Sequence, residues 1–239
     1  MPIFERDDVR INYVEEGSGF PVLLIAPGGM RSTIDFWYQT PWNPIEQLSG
    51  DYRVIAMDQR NAGGSTGPVS ADDGWHTYIG DQLALMDHLG ADRFHVAGMC
   101  IGGSYILGLI EAAPERVASG VLFQTIGLDN NRGAFYDMFD SWATDIASDH
   151  PNMTKDDWNT FRGSMYDPEF LFTVDRDFVA QTETPMLVLL GNDLYHPEST
   201  SREIVKLAPN ATMVENWKEP EHHDSAKAAV ADFLAANTP

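Results

Sequence analysis

Apolar residues along this chain fall into two patterns. From Val9 to Glu15 they alternate with polar ones (Val9, Ile11, Tyr13), which predicts an early antiparallel strand ending at the Gly17-Ser18-Gly19 turn. Thereafter they come as short continuous runs: Val22 to Ala26, Val54 to Met57, Phe94 to Ala97, Val121 to Phe123, Met186 to Leu190 and a weaker Thr212 to Glu215. Runs without alternation suit strands covered on both faces, as the strands of parallel sheets are. Segments with helical spacing lie between them, at Trp75 to Leu89, Ile101 to Ala113, Ser199 to Leu207 and Ser225 to Ala236. Strand and helix alternate, so the expected class is α/β, a mainly parallel sheet flanked by helices.

The stretch from about 127 to 184 breaks that rhythm. It is rich in Phe, Tyr, Trp, Met and Asp and has no long buried run, but Phe135, Met138, Phe139 and Trp142 keep helical spacing, as do Trp158, Phe161 and, less cleanly, Met165. We expect one domain over residues 1–239 with a small helical cap inserted at about 127–184. Ligands of open parallel sheets bind beyond the carboxyl ends of the strands, where such an insertion would sit.

Composition narrows the function classes. A length of 239 residues with 43% hydrophobic content suits one large globular domain. A formal net charge of −21 opposes binding to phosphate backbones and anionic membranes, and the arginines form no basic stripe, so neither nucleic acid nor membrane is an expected partner. The first residues, Met1 to Asp8, do not read as a secretory signal, and no apolar run approaches a membrane span. A single cysteine allows no intrachain disulfide, which fits a cytoplasmic location.

That cysteine lies where chemistry is expected. Gly98-Met99-Cys100-Ile101-Gly102 falls between a strand-like and a helix-like run. A reactive side chain on so tight a turn needs neighbours without bulk, and Gly98, Gly102 and Gly103 supply the room. A cysteine nucleophile needs a base, and the base needs an acceptor to orient it. In such an architecture the chain order is nucleophile, acid, histidine. Asp193 follows the run Met186 to Leu190 in the turn Gly191-Asn192-Asp193, and Glu221-His222-His223 follows the last strand. The expected triad is therefore Cys100, Asp193 and His222, with His223 the alternative base. Asp129, Asp175 and Asp177 are rival acids without the strand-Gly-x-Asp setting. His88 and His95 flank the strand before the elbow and read as structural. His196 could orient Asp193 or line the pocket, although as a lone loop histidine it reads as solvent-facing; with Asp193 it makes no metal site, because further ligands are lacking. No metal or cofactor is expected.

Thiolate attack on a carbonyl also requires donors for the oxyanion. The backbone N–H of Ile101 and one from Pro27-Gly28-Gly29-Met30 are in the expected places, with Gly29 first and Met30 second. Arg31 could grip a substrate carboxylate, and Met30 and Met99 are further candidates for substrate contact.

Together these residues resemble the α/β-hydrolase family over nearly the whole chain. Pro27-Gly28-Gly29 is similar to that family's His-Gly oxyanion segment with Pro in the His position. Asp58-Gln59-Arg60-Asn61-Ala62-Gly63-Gly64-Ser65 resembles its Asp-x-Arg-Gly-x-Gly-x-Ser turn, with Asn61 replacing Gly. Serine is the family norm at the elbow. Cysteine occurs in a minority, such as dienelactone hydrolases and polyhydroxyalkanoate synthases. The resemblance does not carry over a substrate, since one fold hosts many chemistries, but thiolate is a good leaving group, so the expected function is a hydrolase acting on a carboxylic ester, lactone or thioester through an S-acyl intermediate. An acyltransferase or cyclase using the same intermediate, and a non-catalytic small-molecule receptor, are the alternatives; whether the chain forms a homodimer is left open.

Overall fold

The computed structural model describes residues 1–239. Eight strands, β1 (Ile3–Arg6), β2 (Val9–Gly17), β3 (Pro21–Ile25), β4 (Arg53–Met57), β5 (Phe94–Met99), β6 (Val117–Phe123), β7 (Met186–Leu189) and β8 (Ala211–Val214), form one sheet in the order β1-β2-β4-β3-β5-β6-β7-β8. β1 and β2 are antiparallel, β2 runs antiparallel to β4, and the six strands from β4 to β8 are mutually parallel. The alternating segment and all six apolar runs have become strands. β1 carries no periodic signal: it is four residues long and buries only Phe4. β6 begins four residues ahead of its apolar run because Val117, Ala118, Ser119 and Gly120, mostly small, are buried with the rest.

Successive side chains of a strand point to opposite faces, and both faces here are covered. Leu23 and Ile25 of β3 join one core, Val22 and Leu24 the other. The second core is closed by α1 (Pro44–Leu48) and α8 (His223–Asn237), the first by α2 (Trp75–His88), α3 (Ile101–Ala112) and α7 (Glu198–Leu207). His95 is fully buried in β5, bonded to Ser119 (2.8 Å) and Thr238 (3.0 Å). Burial, with a smaller contribution from Arg93, lowers its pKa to about 4 and keeps it neutral.

Between β6 and β7 the chain forms α4 (Arg132–Ile146), α5 (Lys155–Tyr166) and α6 (Arg176–Gln181). Thr154 and Asp157 start α5 by bonding each other's backbone N–H. Phe135, Phe139 and Trp142 of α4 meet Phe161 and Tyr166 of α5 in an aromatic cluster. Trp142 Nε1 donates to the carbonyl of Asn61 (3.2 Å), and Arg31 bonds Ser141 (2.9 Å) and pairs with Asp145. These contacts fix α4 over the carboxyl ends of β3 and β4. The segment Asp58 to Ser65 is architectural: the Asp58 carboxylate accepts from Asn12 (2.7 Å), Ile34 (2.8 Å) and Gly64 (2.8 Å), and Arg60 forks onto buried Asp81 with two 2.7 Å bonds.

Candidate active site

Cys100 occupies the turn between β5 and α3 with φ 61 and ψ −115. A non-glycine residue in that region is strained by about 1–3 kcal/mol, so the surroundings must impose it. They do: Cys100 N donates to Phe123 O (3.0 Å), its carbonyl accepts from Gly103 N (3.2 Å), and the flanking glycines are in contact. A Cβ at Gly98 would lie 2.7 Å from the Gly102 backbone, and one at Gly102 would lie 2.6 Å from the carbonyl of Ile25. The thiol thus stands at the N-terminus of α3, where the helix dipole and free N–H groups favour an anion.

The loop after β7 brings acid and imidazole to that thiol. Asp193 N and His196 N each donate to the other's carbonyl at 3.2 Å, and Asp193 Oδ1 also accepts from the N–H of Tyr195 (3.0 Å) and His196 (3.1 Å). The turn closes because Gly191 packs against His196, whose carbonyl would lie 2.5 Å from any Cβ there. Asn131 latches the loop from outside by donating to Leu194 O (2.7 Å) and Gly127 O (3.0 Å). His196 Nδ1 lies 2.7 and 2.8 Å from the two Asp193 carboxylate oxygens. Its opposite ring nitrogen, Nε2, is buried and has no partner but the Cys100 thiol beside it.

Electrostatics tie the three groups together. Burial alone would push the Cys100 thiol up; the His196 imidazole and the N–H groups of Gly28 and Ile101 outweigh it and leave the pKa below the ordinary thiol value. His196 would be lowered by burial, but the thiolate and Asp193 raise it. Asp193 is held below the usual carboxylate range, against partial burial, by His196 and by two backbone N–H groups. The directions favour passage of the thiol proton to an imidazole that a carboxylate orients, an arrangement able to attack an electrophilic carbon and to return a proton.

A cavity of about 240 Å³ opens on these groups. Cys100, His196, Gly28, Gly29 and Ile101 line it, with Ile126, Phe135, Met138, Tyr166 and Tyr195. A more open groove of about 670 Å³ between α4 and α5 contains none of the three groups. No cluster of three or more His, Cys, Asp or Glu is arranged to hold a metal ion.

Several expected residues lie elsewhere. His222 does not reach Asp193, whose carboxylate is taken by His196; it sits in a short 3-10 turn after β8, ahead of α8. His223 Nε2 donates to Lys218 O (2.9 Å), and the ring lies edge-on to Trp42. Lys218, from the same loop, reaches Asn192 and comes to 4.0 Å from Asp193 Oδ2. Ile101 and Gly29, the expected oxyanion donors, both line the cavity, and the N–H groups of Ile101 and Gly28 are the ones that favour the Cys100 thiolate. Met30 is fully buried in one core, Met99 faces the other, and Arg31 is engaged by Asp145; none of the three lines the cavity. Asp129 is exposed and bonds Ser199, while Asp175 caps α6. His196 was visible as Asp-x-x-His: its placement depends on the tight Asp193 turn, in which an Asx side chain bonds the backbone two and three residues ahead.

No helix is long and apolar enough to cross a membrane. Residues 21–184 match the family described as alpha/beta hydrolase fold. A fluoroacetate dehalogenase from Burkholderia sp. is 37% identical over 100 residues, 40% of this chain and 31% of that one. Carboxylesterase YbfK from Bacillus subtilis is 24% identical over 223 residues, 82% of this chain and 73% of that one. The matched stretches span 42%, 31% and 53% of the length of three curated relatives that are more than 30% identical. Among solved structures, the enol-lactonase from Burkholderia xenovorans LB400 gives a TM-score of 0.71 at 20% identity and covers 98% of this chain and 100% of that one. At that identity the likeness is one of fold.

Proposed function

The chain belongs to the alpha/beta hydrolase fold family, and from that premise we propose that it cleaves a small carboxylic ester, lactone or thioester through an S-acyl intermediate on Cys100. One observation carries this reading: a strained cysteine at the elbow faces the free nitrogen of His196, whose other nitrogen is held by Asp193. Kinship with enzymes named as hydrolases, among them a carboxylesterase, supports the reaction class.

In the proposed cycle His196 holds the thiol proton and the Cys100 thiolate attacks the carbonyl carbon. The resulting oxyanion is received by the N–H of Ile101 and by the Gly28–Gly29 turn. Collapse breaks the bond to the leaving alkoxide or thiolate, which takes the proton from His196, and leaves a thioester on Cys100. His196, now neutral and steered by Asp193, removes a proton from water; the hydroxide adds to the thioester, and collapse frees the carboxylic acid and regenerates the thiolate.

Mixing the protein with p-nitrophenyl butanoate and quenching in acid tests this by intact mass. The expected result is a single butanoyl adduct that is lost in Cys100→Ala together with turnover. Undiminished turnover by Cys100→Ala would overturn the assignment. Amine and thiol acceptors added to the same reaction separate hydrolysis from acyl transfer.

A further inference from the structure

Tyr166 is fully buried, lines the Cys100 cavity, and its hydroxyl has no hydrogen-bond partner. Its ring cannot swing to find one. Phe135 stacks on it at 5.4 Å and 20°, while Phe172 and Trp75 meet it edge-on at 5.4 and 6.1 Å. The backbone beneath is held as well: Trp75 Nε1 donates to the Met165 carbonyl (2.7 Å), and Arg132 donates to the Tyr166 carbonyl. Native proteins rarely leave a buried hydroxyl unpaired, because the unmade bond is a direct loss of stability. Tyr166 borders the cavity and feels the charge of the Cys100 thiolate, so a molecule bound there is within reach as its partner.

Burial, reinforced by the Cys100 thiolate, raises the phenol far above its ordinary pKa, so the group stays protonated and can donate. The other polar side chains lining the cavity are Cys100, His196 and Tyr195, and no lysine, arginine, aspartate or glutamate is among them. A charged substrate tail would therefore be desolvated without compensation. The volume, about 240 Å³, lies below the range of roughly 300–1,000 Å³ usual for drug-sized ligands.

We propose that Tyr166 is a specificity residue whose hydroxyl donates to an acceptor oxygen on the acyl chain, so that the preferred substrates are small, uncharged acyl derivatives carrying an ether, keto or hydroxyl oxygen besides the scissile carbonyl. The inference rests on the acyl chemistry proposed for Cys100 and names its substrate class.

An isosteric pair tests it: p-nitrophenyl 3-methoxypropanoate against p-nitrophenyl pentanoate, which differ by oxygen for methylene. The ratio of kcat/KM between the two is measured in the native protein and in Tyr166→Phe. Losing one neutral hydrogen bond should lower the ether-to-methylene ratio about ten-fold. A ratio that stays within about two-fold of the native one overturns the proposal, including the case in which both esters slow equally. The ketone pair 4-methoxybutan-2-one and hexan-2-one, titrated by tryptophan fluorescence, reads the same preference without any chemistry at Cys100. A Tyr166-dependent preference in binding with no ester turnover would refute the proposed reaction and keep this inference; turnover without that preference would do the reverse.

Discussion

The loops that leave β7 and β8 are neighbours, and each carries acidic residues and histidine, yet only the first reaches Cys100. In the β7 loop Asp193 and His196 are three residues apart and bonded through both backbone and side chain, and His196 is only 8% exposed. In the β8 loop His222 makes no side-chain hydrogen bond to the site, and His223 spends its ring nitrogen on a backbone carbonyl. Strand spacing accounts for part of the difference. At about 4.8 Å per strand, β7 lies two positions and β8 three positions from β5, which delivers Cys100. The rest comes from Trp217, which is buried and donates to Leu190 O (2.9 Å), so that the β8 loop is pinned as a brace beneath its neighbour. An acid and base tied in one turn need no long-range fit to each other; they need only one loop placed correctly.

Removing each histidine in turn separates the two loops most sharply. His196→Ala should lower kcat/KM for a p-nitrophenyl ester by about 10³-fold or more, as loss of a general base does, and His222→Ala by less than about two-fold. The reverse order would return the base to the β8 loop. Asp193→Asn keeps the turn's acceptor oxygen but not the charge that orients and stabilises the imidazolium, so a loss of about 10²-fold is expected, with the Tm close to native.

The proposed thiolate–imidazolium pair has a pH signature. Iodoacetamide labelling of Cys100 should rise with pH through a midpoint below that of an ordinary thiol, since the folded pKa is lowered. In His196→Ala the midpoint should move upward, because burial then acts with less opposition. An unmoved midpoint would show that His196 does not govern the thiol.

Smaller effects probe the brace. His223→Ala removes one hydrogen bond to Lys218 O and an edge contact with Trp42, for a loss of about 1–2 kcal/mol in denaturant unfolding. Lys218→Met should slow turnover only about two- to five-fold, because its amine stands 4.0 Å from a half-exposed carboxylate and solvent screens the pair.

Much of this was legible in the order of residues. Continuous apolar runs marked the parallel strands because burial on both faces leaves no room for alternation. Gly98 and Gly102 marked the elbow because no larger residue fits where the strand and helix backbones touch. Asp193 was legible from its place beyond a strand end. The nearness of His196 to Cys100 was not legible, since a lone loop histidine has no periodicity to reveal which way it faces. The misplaced Met30 and Met99 show the same limit: adjacency in sequence to Gly29 and Cys100 says nothing of which face of the sheet a side chain takes.

Local sterics and tolerance of water thus made the α/β class and the glycine-flanked turn at Cys100 readable from the order of residues alone. Tertiary structure alone decided that the imidazole beside Cys100 is that of His196, that Arg31 is bound to Asp145 rather than free for a ligand, and that Tyr166, its hydroxyl unpaired, lines the cavity. Those outcomes are set by distances between segments far apart in the chain, and no local propensity encodes them.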